Sequence, residues 1–518
     1  MKQPYVRPGI DDRPDYEKAL SPEEKAALAR LAVKMERRAP ESSADQAETQ
    51  ASRLAAASSP ASAVASVDAA VPDMTSSFLD MRDPMLAANG ERPDSRAVTR
   101  LKWGFAVASL LTTVPWVALT MVALPAAVAR AVWRDGQTGP IADVAVPLGW
   151  IVAVGAVAAL LVTPLVAAVS DHTRTRFGKR SPWIVAGGVV CALLTLILGA
   201  TGGVRSAGVF WVLLSMAHVM LVAPVDAAFA ERVPDKFRVS LVRWRGVAQM
   251  LGQAVGAWVG TLCFAFSTRF SYETFAVAAA VFALAGVAAV AVCPREPSSE
   301  AMSMERIRWA VIADQLRPPR NAPRFGTMYA ARLCMMAAVG LTGVFLWYIV
   351  RYYAGADGLG VALTMDLRIR PWAMVALMAL CTLVGAAAAA RAAGPINESF
   401  DDVRRPMLAA CVLYAMALVF PCVLPNAAAL GAFALITGFA FGLYDALGQE
   451  LVMAAMHDPR AAGHDLGVFN TANTLGLVVA AALGAAALAI GGFVPLFVAA
   501  IVLVVAAAAL MWKGGAAA

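Results

Sequence analysis

Apolar runs long enough to cross a bilayer recur from residue 101 to the end of the chain, and they leave few folds open. A membrane-spanning helix needs roughly 20 predominantly apolar residues. Runs of that kind fall at 103–129, 144–169, 183–202, 207–230, 246–267, 273–293, 325–350, 371–390, 406–424, 427–449, 466–490 and 492–512. They predict an all-α polytopic membrane protein of twelve transmembrane helices. The chain is 59% hydrophobic and only 15% charged, against roughly 25% charged in a soluble domain. A surface this apolar needs lipid rather than water around it, which excludes a soluble enzyme and a chain that is disordered overall.

Residues 1–100 read as a cytoplasmic tail. Residues 39–75 are rich in Ala, Ser and Pro and are expected to be disordered. One short helix is expected near 21–38, with Ser21 as cap, Pro22 at its first turn and Glu24 completing a capping box. The chain does not start with a short basic-then-apolar segment and cleavage site, so no secretory leader is read there. With the tail inside, cytoplasmic loops carry 19 Lys and Arg side chains and outer loops carry 7. Positive loops stay inside, so both termini are expected in the cytoplasm of a cell-membrane protein. The basic excess thus reads as orientation and not as nucleic-acid binding. The charged loop after residue 293 divides the spans into bundles at 101–293 and 324–518, joined by a linker at 294–323.

The halves echo each other. DAAFAE at 226–231 matches DALGQE at 445–450, so Asp226 and Asp445 lie 219 residues apart. Gln253 and Gly256 match Asn473 and Gly476 at an offset of 220. GKRSPW after span two pairs with DVRRPM after span eight. These matches predict a duplicated six-helix unit, giving two pseudo-symmetric bundles with a substrate site between them.

Span two ends in PLVAAVSDHTRTRFGKRSPW, residues 164–183. It is a short basic turn led by one carboxylate, Asp171, followed by Arg174, Arg176, Gly178, Lys179 and Arg180. A carboxylate at a helix end can pair with a neighbouring Arg or face another helix N-terminus, holding two helices together in one conformation only. The turn resembles the loop between helices two and three of the major facilitator superfamily. Its long form is similar to the branch holding the glycoside–pentoside–hexuronide:cation and sucrose–proton symporters. Arg332 in ARLCMM, Tyr348 and HDLGVFN at 464–470 extend the resemblance over most of 101–512. It implies the major facilitator fold and alternating access, with the loop as a conformational switch. The chain departs from the pattern at His172, where a basic residue is usual, and at Gly448, where an Asp is usual and Asp445, three residues earlier, is the candidate substitute. Span two also lacks a carboxylate between Asp143 and Asp171, unlike sodium-coupled members, which points to a proton as coupling ion.

A charge within a span is retained only if it is paired or useful. Asp226 near the inner end of span four faces Arg245 at the start of span five, as a structural pair or as a coupling site. Asp445 and Arg332 allow the same two roles. Trp116 and Trp258 lie near mid-span, away from the interfacial belts that tryptophan favours. With Gln253, Asn473 and Tyr444 they are candidate substrate contacts, because a sugar suits an aromatic plate beside amide groups. Packing and helix–helix hydrogen bonding are the alternative roles. His218 either relays a proton or is simply hydrogen-bonded.

The seven cysteines lie in apolar runs without C-x-x-C spacing, and they read as small buried hydrophobes. No metal or other cofactor is expected, and no catalytic cluster appears in any loop. The leading expectation is a monomeric proton-coupled symporter for a sugar or glycoside. An exporter of amphipathic compounds and a non-transporting membrane receptor are the competing readings.

Overall fold

The structure is a computed structural model, and it describes residues 85–87, 89–133, 139–266, 272–300, 323–355, 360–363, 367–400, 402–455 and 462–516. The expected tail helix at 21–38 and the disorder expected at 39–75 lie outside these residues, as does most of the linker.

Among the described residues, twelve long helices follow in order. They are α1 (Ser95–Val132), α2 (Ala142–Asp171), α3 (Ser181–Ala200), α4 (Val204–Arg232), α5 (Asp235–Phe266) and α6 (Tyr272–Val292). The second set is α7 (Pro323–Val344), α8 (Pro371–Glu398), α9 (Arg404–Val423), α10 (Ala427–Ala455), α11 (Ala462–Gly491) and α12 (Phe493–Ala516). Among the described residues, eleven of them contain a stretch long and apolar enough to cross a membrane. The other is α5, whose 32 residues include Lys236, Arg238, Arg243 and Arg245 in their first third. It starts eleven residues before its apolar run, because hydrophobicity marks the depth of lipid while the helical backbone continues past it.

Packing repeats with a shift of six helices. The pairs α1–α5, α1–α6, α2–α4, α3–α4 and α3–α6 recur as α7–α11, α7–α12, α8–α10, α9–α10 and α9–α12. Two further pairs join the halves, α2 with α11 and α5 with α8. The repeat-related glycines explain one matched pair of contacts. A Cβ on Gly256 would stand 2.5 Å from the Val114 carbonyl oxygen, and one on Gly476 would stand 2.7 Å from Met336 Cβ. Each glycine lets its helix approach the first helix of its own half.

The first helices of both halves are also irregular in the same place. Pro115 lies inside α1, which passes through a π-helical segment at Leu119–Ala123. After α7, the helical path breaks at Phe345 and ends in a π-helical segment at Ile349–Ala354. A two-stranded antiparallel hairpin, β1 (Val361–Ala362) with β2 (Arg368–Ile369), precedes α8. Neither the π segments nor the hairpin is anticipated by an all-helical reading of the apolar runs.

Candidate functional site: paired charges between helices

Because the crossings alternate, α1 begins and α12 ends on one side, the terminal face; the opposite side is the distal face. In the first half, α4 presents Asp226 to Arg245 of α5 as an ion pair. Arg245 Nε also donates to Ser109 Oγ of α1 at 2.8 Å, and the guanidinium lies 5.4 Å from the Phe229 ring centre. The Arg245 side chain is only 3% exposed. Three helices are thus tied at one buried guanidinium.

The second half builds a related group differently. Asp445 of α10 pairs with Arg332 of α7 at 2.7 Å, and Arg332 Nε donates to Asn473 Oδ1 of α11 at 3.0 Å. The Tyr444 and Phe469 rings lie 6.0 Å from the guanidinium. Asp445 is 45% exposed, more than twice the 20% of Asp226. A small cleft beside Arg332 is lined by Met328, Met407, Tyr444, Gly448, Phe469 and Met511. Tyr444 is itself buried.

The aromatic candidates are less available than their sequence positions imply. Trp116 stacks on His218 at 4.0 Å between ring centres and on Trp211 at 5.3 Å. Those two residues are seven positions apart on α4, two turns along one face, so the indole is held between them. Stacking on these two rings is the packing role that the sequence left open for Trp116, whose side chain is half-buried. Trp258 Nε1 donates to the Ala376 carbonyl of α8 at 3.0 Å, so its polar edge serves the contact between halves. Gln253 is exposed. It shares neither of the two charged groups, whereas its repeat partner Asn473 belongs to one.

At the terminal face, the α2–α3 loop is a charge network. Arg180 is 1% exposed and pairs with Asp171 and with Glu231, the latter at 2.8 Å. Lys179 also reaches Glu231, at 2.7 Å. Burial opposes the charge on Arg180, but the Glu231 and Asp171 carboxylates overcome it and hold the guanidinium above its usual range. Glu296, from the segment after α6, accepts from the backbone N–H groups of Arg180 and Ser181 and from the Ser181 hydroxyl. It caps α3 as an anion at a helix N-terminus. Gly178 has φ +93°, and a Cβ there would meet the Glu296 carboxyl at 2.4 Å. Arg174 and Arg176 pair with no carboxylate among the described residues. Sequence reasoning missed Ser109 and Glu296. Neither carries a local signal, since each is defined by a partner more than 100 residues away.

The halves meet at the distal side. Tyr348 Oη donates to the Pro125 carbonyl at 3.0 Å, and Trp133 packs edge-on against Tyr352. A Cβ on Gly149, in the distal part of α2, would stand 2.5 Å from the Ala481 carbonyl of α11. The Trp258–Ala376 bond lies at that end too. Among the described residues, the side-chain hydrogen bonds that join the halves are distal, whereas the ion pairs of the terminal face each stay within one half. These contacts hold the two halves together at the distal face.

Such a duplicated twelve-helix bundle is a membrane transporter of the major facilitator type. Residues 144–502 match the MFS/sugar transport protein family, and the chain belongs to that family. A lactose permease of Lactobacillus helveticus is 38% identical over 71 residues, a stretch that covers 14% of this chain and only 11% of the permease. In fold, the chain is similar to crystal structures of the nucleoside transporter NupG, with TM-scores of 0.61 for a single-residue variant and 0.58, at 13% identity and 80% coverage of this chain. They are covered over 99% and 98% of their own length. A bacterial homologue of the human lysosomal transporter Spinster, inward-facing and unoccupied, is similar with a TM-score of 0.57 at 13% identity; 82% of this chain and 98% of that one are covered.

Proposed function

We propose that this transporter is a proton-coupled symporter for a sugar or glycoside, working in the cell membrane as a monomer with both termini in the cytoplasm. The carrying observation is the unequal exposure of the two acid–guanidinium pairs. Asp226 is fastened to a nearly buried Arg245 that is also bonded to Ser109. Asp445 is about half exposed, so water reaches it. Its partner Arg332 already holds the amide of Asn473, so a change of charge on Asp445 is felt at a group able to bind hydroxyls. Asp445 is the coupling group in this reading, and Asn473 with Gln253 the substrate contacts. Asp226 and Arg245 form the structural latch of the first half. The α2–α3 loop from Asp171 to Arg180 holds the terminal ends of α2, α3 and α4 and works as the conformational switch.

With the terminal face in the cytoplasm, this reading makes the distal contacts the outer gate of an alternating-access cycle. A proton moving down a potential of 100 mV releases roughly 2.3 kcal/mol, sufficient to concentrate a neutral sugar more than about tenfold. The family description and the resemblance to a lactose permease support a sugar as cargo. The test is uptake of labelled disaccharides into vesicles holding the full chain. An imposed inward proton gradient is expected to drive accumulation above equilibrium. Uptake that ignores the proton gradient and follows sodium would overturn the proton reading. Gradient-driven efflux of amphipathic compounds would favour the exporter, a reading that the methionine-rich lining beside Arg332 also suits.

A further inference from the structure

The α2–α3 loop keeps two arginines and one aromatic ring that the charge network does not use. Lys179 and Arg180 are engaged by Asp171 and Glu231. Arg174 and Arg176 have no carboxylate partner among the described residues, and between that pair and Lys179 the Phe177 ring is 69% exposed. An exposed phenyl group flanked by guanidinium groups is costly in water but suited to a boundary between acyl chains and headgroups.

The helix leading into the loop fixes its depth. α2 is 30 residues long, about 45 Å at the α-helical rise, close to the full thickness of a bilayer with its headgroups. An exposed apolar stripe runs along it through Trp150, Val154, Val157, Leu161, Leu165 and Val169. The stripe begins at the distal end, where the halves are closed against each other, so that end of it faces lipid. The opposite end delivers Phe177 at headgroup level on the terminal face.

We propose that the α2–α3 loop is a binding site for anionic phospholipid headgroups, with Phe177 set at the acyl boundary and Arg174 and Arg176 holding the phosphate. Arginine matches phosphate oxygens through paired N–H donors. Six residues from Asp171 in the sequence, the site adjoins the pairs that hold α2, α3 and α4 together.

The experiment is native mass spectrometry of the full chain in detergent. Phosphatidylglycerol and phosphatidylcholine with identical acyl chains are added in equal amounts. The wild-type chain is expected to retain phosphatidylglycerol preferentially, and the double variant R174Q/R176Q to lose at least about fivefold of that preference. Phe177→Ser is expected to lower retention of both lipids. Inorganic phosphate in excess is expected not to displace the lipid. Equal retention of the two lipids by the wild type, an unchanged preference in the double variant, or complete displacement by inorganic phosphate would each overturn the proposal. The last outcome would mark a site for free anions instead. Thermal midpoints verify folding. If the double variant does not fold, the single Arg176→Gln variant carries the test, because that side chain is exposed.

Discussion

Asp226 and Asp445 occupy repeat-related turns of α4 and α10, yet their guanidinium partners arrive from helices that are not equivalent. Arg245 comes from α5, whose counterpart is α11, whereas Arg332 comes from α7, the counterpart of α1. Duplication preserved the acid, and divergence chose the base. Asp226→Asn removes the counter-charge of the Arg245 guanidinium and leaves it only neutral acceptors, the amide oxygen and the Ser109 hydroxyl. Stranding a buried charge costs roughly 3–5 kcal/mol. The variant is expected to lose thermal stability heavily, as read by the unfolding midpoint in detergent.

Asp445→Asn is expected to behave differently. The carboxylate is partly solvated but the Arg332 guanidinium is buried, with Asn473 as its other partner. The variant should therefore lose less stability than Asp226→Asn and still fold. If Asp445 is the coupling group, sugar counterflow without a gradient persists and proton-driven accumulation is lost. Retained accumulation would move the coupling role elsewhere.

The distal closure gives a third expectation. Tyr348→Phe removes the hydroxyl that donates to the Pro125 carbonyl. One such bond contributes about 1 kcal/mol, a several-fold change in a two-state equilibrium. The variant should open its distal face more often. A cysteine placed in the distal part of α2 should be modified several-fold faster by an impermeant thiol reagent added from that side. An unchanged rate would show that Tyr348 packs without holding the closure.

The parts of the structure legible in the sequence are those written locally or repeated. Apolar runs located the helices because lipid acts on each segment separately. The offset of about 220 residues between Gly256 and Gly476 foretold matching helix contacts, because close approach leaves a signal in the residue itself. The fate of Trp116 was not legible. Whether its ring meets substrate or the Trp211 and His218 rings depends on the rotation of α1 against α4, which no periodicity encodes. Glu296 was hidden for the same reason, as one carboxylate in a charged loop whose meaning comes from the helix it caps.

Gly178 and Glu296 together make the switch loop testable without knowledge of the substrate. Gly178 sits at φ +93°, where a Cβ would collide with the Glu296 carboxyl. Left-handed backbone costs a residue with a Cβ roughly 1–2 kcal/mol before any collision is counted. Gly178→Ala should therefore push Glu296 off the N-terminus of α3. Glu296→Gln keeps the shape and hydrogen-bonding oxygen but removes the charge, and is expected to cost about 1 kcal/mol through the lost helix-end attraction. The two substitutions act on one contact, so their effects on the unfolding midpoint should not add. Gly178→Ala placed in a Glu296→Ala background should cost less than it does alone, because the colliding carboxyl is gone. Full additivity in that cycle would show that the loop and the segment after α6 are independent, and would remove the switch loop's link to the linker.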